Sequence, residues 1–338
     1  MNFRSVVPAS NPARRSLRKA RDRILYAVNR ARHGAPDQVV SYGHGGIGDS
    51  LLCSAVCREL QLRAPRRLWL LSPYPALFEC NSDVAAVLPF NDEMVALLRR
   101  RGHPVIFPHY NTNHWLEGRD DPPREHIIAA MCRSSGISNG TVSLRPYLSL
   151  STAERSAGRL AHRQIAIQSS GLSARFHMRT KEWFPDRFAE VARSLPNAEI
   201  IQLGGPGEPL LPGVRDLRGR TSLREAAAIL DASELFIGLV GLLMHLSRAV
   251  DCPSVIVYGG RELPGQTGYS ANLNVARSPD CSPCWLWHDC DYAMKCMDEI
   301  PASEVIGAVR QRLEQPRGPL AVGIADLAVQ PSPQCGSP

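Results

Sequence analysis

Long apolar runs are missing from this sequence. No stretch approaches the roughly 18 consecutive apolar residues that a bilayer-spanning helix needs, so a helical membrane span is not expected. The first 36 residues also lack the continuous apolar segment of a secretory signal. The glycine loop GHGGIGD (43–49) lacks the Lys-Ser/Thr ending of a Walker loop, so nucleotide hydrolysis is not indicated. No GxGxxG follows a strand with an acid about twenty residues on, which disfavours an NAD-dependent enzyme.

Acid is nearly absent from the beginning of the chain. Residues 1–36 carry nine basic side chains, Arg4, Arg14, Arg15, Arg18, Lys19, Arg21, Arg23, Arg30 and Arg32, against the single acid Asp22. That segment holds +8 of a formal net charge of +7, which leaves the other 302 residues at −1. The globular body is therefore near neutral, and its charge offers no nucleic-acid footprint. Within the leader, Leu17, Ile24, Leu25 and Val28 share one helical face and the arginines cover the rest. Two readings stand side by side: a basic amphipathic helix that rests on an anionic membrane surface through residues 14–32, and a solvated basic arm. Its Arg-rich, acid-poor composition is also that of an organelle transit peptide.

The ten cysteines are unevenly spread. Cys53, Cys57, Cys80, Cys132 and Cys252 read as buried thiols of a reducing compartment, and Cys335 sits in a Pro/Gly/Ser tail. Cys281, Cys284, Cys290 and Cys296 form CxxC followed by two gaps of five residues. Four thiols so close together suit a structural zinc or iron site, with His288 able to replace one of them; reduced buried thiols and disulfides are the alternatives.

After the leader, strand and helix patterns alternate. Strands are expected at 39–42, 67–71 and 105–107, with helices at 50–62, 92–101 and 124–134. A connecting helix at 151–161, capped by Ser151 or Thr152, leads to a second series. Its strands are 164–168, 199–203, 235–239 and 254–258, and its helices 185–195, 222–232, 242–250 and 302–313. Such alternation implies parallel sheets. The expected architecture is α/β, of GT-B type, with two Rossmann-like lobes facing a central cleft. The lobes span 37–150 and 151–314, followed by a mobile Pro/Gly-rich tail at 315–338.

Several residues carry chemistry in this frame. Asp49 ends the glycine loop and opens a helix, where the dipole keeps a carboxylate ionised and ready to accept a proton; a plain helix N-cap is the bland alternative. The turn at Gly241 and Leu242 presents backbone N–H groups at a helix N-terminus, and His245 follows about one turn later. Ser169, Ser170 and Gly171 form a post-strand turn able to donate to phosphate, with Lys181 to neutralise a diphosphate; a polar loop with a solvated lysine is the competing reading. Glu208 is either a ribose acceptor or an exposed loop acid. Trp183, Pro185 and Phe188 are packing residues.

The ordered pieces GIGDSLL, SSG with KEWFPDRF, LGGPGE, GRTSLREAAAIL, MHLSRAV and the cysteine cluster closing on CMDEI resemble the heptosyltransferase family, glycosyltransferase family 9. The resemblance covers roughly residues 38–312 and is stronger in the second half. It implies inverting, metal-independent sugar transfer from a nucleotide donor, typically ADP-heptose. Position by position, it makes Asp49 the base and Lys181 the phosphate-contacting lysine, with Ser169 and Ser170 as the hydroxyl pair beside it. Glu208 becomes the ribose acid, Thr221 the site of backbone contact to adenine, and His245 the histidine of the Asp-Thr/Ser-Gly-x-x-His motif. The proline of KEWFPDRF sits one place later than in the usual Lys-x-Trp-Pro.

One departure changes the expectation. Where the family motif opens with an acid, this chain has Val240, which cannot accept hydrogen bonds from sugar hydroxyls. Glu262 is the nearest substitute in sequence. The expected function is transfer of a heptose or related sugar from a nucleotide-sugar donor to a bacterial lipopolysaccharide or other surface-glycan acceptor. The enzyme would be cytoplasmic and peripheral on the inner membrane face, with no nucleic-acid partner and no catalytic cofactor. A catalytically silent relative that binds nucleotide or glycan is the alternative.

Overall fold

The computed structural model describes residues 12–43, 45–114, 116–315 and 327–330. Residues 1–11, Cys335 and the rest of the tail lie outside the described residues. The leader forms helix α1 (Pro12–His33), followed by β1 (Gln38–Ser41) and α2 (Ile47–Arg63). Then come β2 (Leu68–Ser72), β3 (Ala86–Pro89), α3 (Asp92–Arg100) and β4 (Val105–Ile106), and a hairpin of β5 (Asn113–His114) and β6 (Arg119–Asp120). The first lobe closes with α4 (Ile127–Ser134) and β7 (Gly140–Ser143), and α5 (Thr152–Gly158) connects to the second.

The second lobe runs β8 (Gln164–Ile167), α6 (Pro185–Arg193), β9 (Glu199–Gln202), β10 (Arg215–Asp216), α7 (Leu223–Ala232), β11 (Leu235–Leu239) and α8 (Leu242–Ala249). It ends with β12 (Ser254–Tyr258), the short α9 (Pro264–Thr267), β13 (Asn272–Ala276), the short α10 (Lys295–Asp298) and α11 (Ala302–Glu314). Strand β14 (Leu327–Gln330) then pairs antiparallel with β7. Part of the tail expected to be mobile is thus a sheet partner of the first lobe, its backbone pairing along the open edge of β7.

Both main sheets are parallel. The first has the order β3-β2-β1-β4 and the second β10-β9-β8-β11-β12-β13. Strands β2, β8, β11 and β12 are buried throughout, as parallel strands covered on both faces must be. Their near-continuous apolar sequences are legible for that reason. The short or polar strands β3, β10 and β13 are not, because runs of two to five residues are too short for a period to stand out.

Helix α1 divides its faces sharply. Asp22 and Tyr26 are buried; Tyr26 packs 5.8 Å from the Trp69 ring and its hydroxyl meets His103 Nε2 at 3.0 Å. The opposite face leaves Leu17, Ile24 and Val28 at 71%, 63% and 40% exposed. Leu25, expected on that stripe, instead turns half-inward against the Tyr26 cluster. The leader is therefore a docked helix over its described length. Cys80, expected to be buried, is exposed, whereas Cys53, Cys57, Cys132 and Cys252 are interior.

One apolar core runs through both lobes. It joins Leu51, Leu52 and Val56 of α2 to Leu243, Met244 and Leu246 of α8 and to the α7 face. Helices α5 and α7 press together at Gly158, where a Cβ would collide with the Ala228 carbonyl oxygen. Replacing Gly158 with Ala is expected to destabilise the fold by about 1–3 kcal/mol through overpacking. A lowered urea midpoint at unchanged m-value is the reading that checks it.

Candidate functional site

In each sheet the strand order reverses once: between β1 and β4 in the first, between β8 and β11 in the second. Chain segments leaving the C-terminal ends of such strand pairs diverge and open a crevice. The four segments here, around residues 42–49, 107–110, 168–171 and 239–243, line one cavity of about 900 Å³. The two crevices have merged into a single site, large enough for a nucleotide-sized ligand and a second substrate.

Asp49 sits in the first turn of α2, at its third helical position, since the helix starts at Ile47 rather than after the acid. Its Oδ2 accepts the Gly46 N–H at 2.8 Å, and its Oδ1 accepts the Tyr110 hydroxyl at 3.1 Å. The capping and chemical readings of this acid therefore coexist, one oxygen for each. Burial pushes the Asp49 carboxyl above its usual range, while Gly46, Tyr110 and Lys181 pull it back. Burial thus works against the charge that the helix dipole favours, and makes the ionised carboxylate a stronger base. The loop glycines have packing reasons. A Cβ on Gly43 would strike Phe90, and one on Gly48 would stand 3.1 Å from His245 Cδ2 and 3.5 Å from Leu242 Cα. Gly48 thus lets the starts of α2 and α8 meet.

Across the cavity, Gly241 and Leu242 line the wall at the start of α8, whose N-terminus carries no side-chain cap. His245 lines it too. Its Nδ1 is 2.5 Å from the Tyr269 hydroxyl, and burial lowers its pKa to about 3, so the imidazole is neutral at physiological pH. Glu208 and Thr221 are further wall residues. Glu208 is buried rather than a loop acid in solvent, and desolvation raises its carboxyl to about 7.

Lys181 lines the cavity from the 3₁₀ turn at Arg179–Lys181, its Nζ 2.5 Å from Glu262 Oε1. Glu262 is also bonded to the Arg261 guanidinium, which reaches Asp120 Oδ2 at 2.6 Å and stacks 4.7 Å over Trp285. The chain Asp120–Arg261–Glu262–Lys181 runs from the first lobe into the second, and Arg261, Glu262 and Asp120 are all buried. Burial opposes the charge on Glu262, but Lys181 and Arg261 outweigh it and hold the carboxyl at about 2. Buried ions survive only with partners this close.

Some expected residues lie elsewhere. Ser169 and Ser170 are buried behind the wall: Ser169 Oγ accepts from Gln202 and donates to the Pro209 carbonyl, and Ser170 Oγ accepts the Leu172 N–H. Gly171 and Ser173 line the cavity in their place, because the Ser170 hydroxyl caps its own turn and that of Ser169 is taken by Gln202 and the Pro209 carbonyl. Glu262 does not line the main cavity either, being consumed by its two cations. Trp183 is buried, donates to the Ile300 carbonyl and meets Phe188 edge-on at 4.8 Å, while Pro185 starts α6.

Cys281, Cys284, Cys290 and Cys296 are the residues expected to hold a structural zinc or iron. Among the described residues no three His, Cys, Asp or Glu side chains gather as a metal-holding group, so the thiols as arranged do not fit one. The loop is pinned by other means. Trp285 is buried, the Trp287 N–H donates to the Gly118 carbonyl at 2.8 Å, and Leu286 bridges to Arg119 of β6. His288 lines the cavity, with its ring 5.9 Å from that of His177. Tyr110, Asp120, Arg261 and Tyr269 carry no signal in the sequence. Tyr110, Arg261 and Tyr269 stand in loops and Asp120 in the two-residue strand β6, with no motif or periodicity around any of them.

Comparison with known proteins agrees with this architecture. Residues 141–286 match the family model "Glycosyltransferase family 9 (heptosyltransferase)". No curated protein matches the chain by sequence. Among solved structures, the ADP-heptose lps heptosyltransferase II of E. coli superposes with a TM-score of 0.62 at 15% identity, covering 82% of this chain and 98% of its own. A glycosyl transferase family 9 protein from Veillonella parvula gives 0.62 at 17% identity, over 81% and 96%. The iron-containing dodecameric heptosyltransferase TibC of enterotoxigenic E. coli, in complex with ADP-D-beta-D-heptose, gives 0.61 at 18% identity, over 82% and 76%. At such identities the shared property is the fold. Residues 141–286 are similar to the family 9 model, and the chain shares the fold of these structures.

Exchanging Glu262 for Gln leaves Lys181 and Arg261 without their shared counter-charge and is expected to cost about 3 kcal/mol of stability at pH 7. Because the folded Glu262 carboxyl lies at about 2, below its ordinary 4.5, its contribution is complete above pH 4.5 and fades as pH falls toward 2. Denaturant midpoints of wild type and variant should therefore converge across that window. A constant difference between them would contradict the assignment.

Proposed function

We propose, from the match of residues 141–286 to a glycosyltransferase family 9 model, that the chain transfers a sugar, heptose or a close relative, from an ADP-linked donor to a surface-glycan or glycolipid acceptor. The observation that carries the reading is the merged cavity, which Asp49 lines from the first lobe and Lys181, His245 and the start of α8 line from the second. The acceptor hydroxyl attacks the anomeric carbon and gives its proton to Asp49. The new C–O bond forms as the bond to the diphosphate breaks on the opposite face, and ADP leaves with inversion. Lys181 and the uncapped N–H groups of α8 receive the charge that develops on the diphosphate. Glu208 accepts from the ribose hydroxyls, and the backbone near Thr221 meets the base.

The outer face of α1 supports a site of action at a lipid surface. Its exposed Leu17, Ile24 and Val28 stripe is bordered by Arg18, Arg21 and Arg23, and no helix of the described residues is long and apolar enough to cross a membrane. A helix with one face docked on the protein and a basic-edged apolar face opposite suits anionic headgroups. Val240 favours one other reading, a silent relative that binds nucleotide without transfer; such a protein gives donor binding and no product.

Three outcomes follow from this assignment. Asp49→Asn is expected to lower transfer by about a hundredfold or more while ADP affinity, read by calorimetry, changes less than about twofold; full turnover in that variant would exclude Asp49 as base. Because Glu208 ionises near pH 7, ADP affinity should rise about tenfold between pH 6 and 8 as the carboxylate forms, and Glu208→Gln should lose that share of the rise. The double exchange of Leu17 and Ile24 to Asp should abolish sedimentation with phosphatidylglycerol vesicles and leave ADP binding intact, with no binding of either protein to neutral phosphatidylcholine.

A further inference from the structure

We infer that Asp120 is the carboxylate that accepts a hydroxyl of the donor sugar, an assignment that rests on the nucleotide-sugar reading above. Three acids or acid positions compete for this task. Val240 lines the cavity but has no acceptor atom. Glu262 is buried away from the main cavity, with Lys181 and Arg261 both bonded to it. Asp120 is the one that lines the cavity, enters it from the first lobe, and is buried.

Its two oxygens are used unequally. Oδ2 accepts from Arg261 at 2.6 Å, while Oδ1 is buried and makes no well-formed hydrogen bond. Burial pushes the Asp120 carboxyl above its usual range, while a hydrogen bond from the Trp287 indole and the Arg261 and Lys181 charges pull it back. A fixed carboxylate whose Oδ1 keeps acceptor capacity to spare can receive a hydroxyl. Proximity to Lys181 selects the ligand group: if Lys181 holds the diphosphate, the adjoining acceptor meets the sugar attached to it. The side chain is held ready by Arg261, itself fixed over Trp285 and donating to the Leu286 carbonyl at 3.0 Å. Because β6 belongs to the first lobe, the sugar would be read only when both lobes close on the donor.

Isothermal titration of wild type, Asp120→Asn and Asp120→Ala with ADP, ADP-glucose and ADP-heptose tests this. Wild type should bind at least one ADP-sugar more tightly than ADP. Both variants should lose about tenfold or more for that ADP-sugar beyond whatever they lose for ADP, so that the sugar no longer adds affinity. Equal losses for ADP and ADP-sugar would mean that Asp120 acts only by holding Arg261, and would overturn the inference. Unchanged ADP-sugar affinity in the variants, or a wild type that binds ADP and every ADP-sugar alike, would overturn it as well. A wild type that binds none of the three removes the nucleotide reading and this inference together.

Discussion

Helices α2 and α8 meet start to start, and the site depends on how closely they do so. Gly48 brings the α2 backbone within Cβ distance of His245 and Leu242. Behind that contact the leucines of both helices share a single core. With a bulkier residue at Gly48 the lobes would be held apart, and Asp49 would face its partners across a wider gap. Apolar packing therefore sets the width of the cavity, and the polar chemistry is arranged on the rim this packing leaves.

A second constraint is electrostatic. Lys181 is useful to an anionic ligand only if its ammonium is fixed, and burial alone would push it toward the neutral form. The Glu262 carboxylate counters this, and Arg261 prevents Glu262 from becoming an excess negative charge. Arg261 in turn requires Asp120. Each ion is tolerable only because of the next, so the charge chain crosses from one lobe to the other and makes the phosphate side of the site sensitive to their relative position. Asp49 carries a raised pKa from the same desolvation. Burial thus makes Asp49 a stronger base and lowers the pKa of Lys181 despite its carboxylate partner.

Much of this is legible in the amino-acid sequence. The apolar β-branched runs at 235–239 and 254–258 identify buried parallel strands, since only strands covered on both faces carry so few polar residues. Motif order picks out Asp49, Lys181, Glu208, Thr221 and His245, and all five line the cavity. The same reading fails at Ser169 and Ser170, because a hydroxyl after a strand satisfies its own turn as easily as a ligand. It fails at Glu262 because closeness in sequence to the last strand says nothing about which cations already hold the acid.

Local sequence alone determined the main buried strands and the longer helices, the glycine approach before α2, the split of charge between leader and body, and the loss of an acceptor at Val240. These are properties of adjacent residues and of helical or strand period. Tertiary structure alone decided that α1 docks by Asp22 and Tyr26 while leaving Leu17, Ile24 and Val28 outside. It also paired the strand at 327–330 with β7 and brought Asp120 to within reach of Arg261, 141 positions later. Pairings over such separations leave no periodic trace in the chain, because they arise from which surfaces remain to be covered once the sheets have formed.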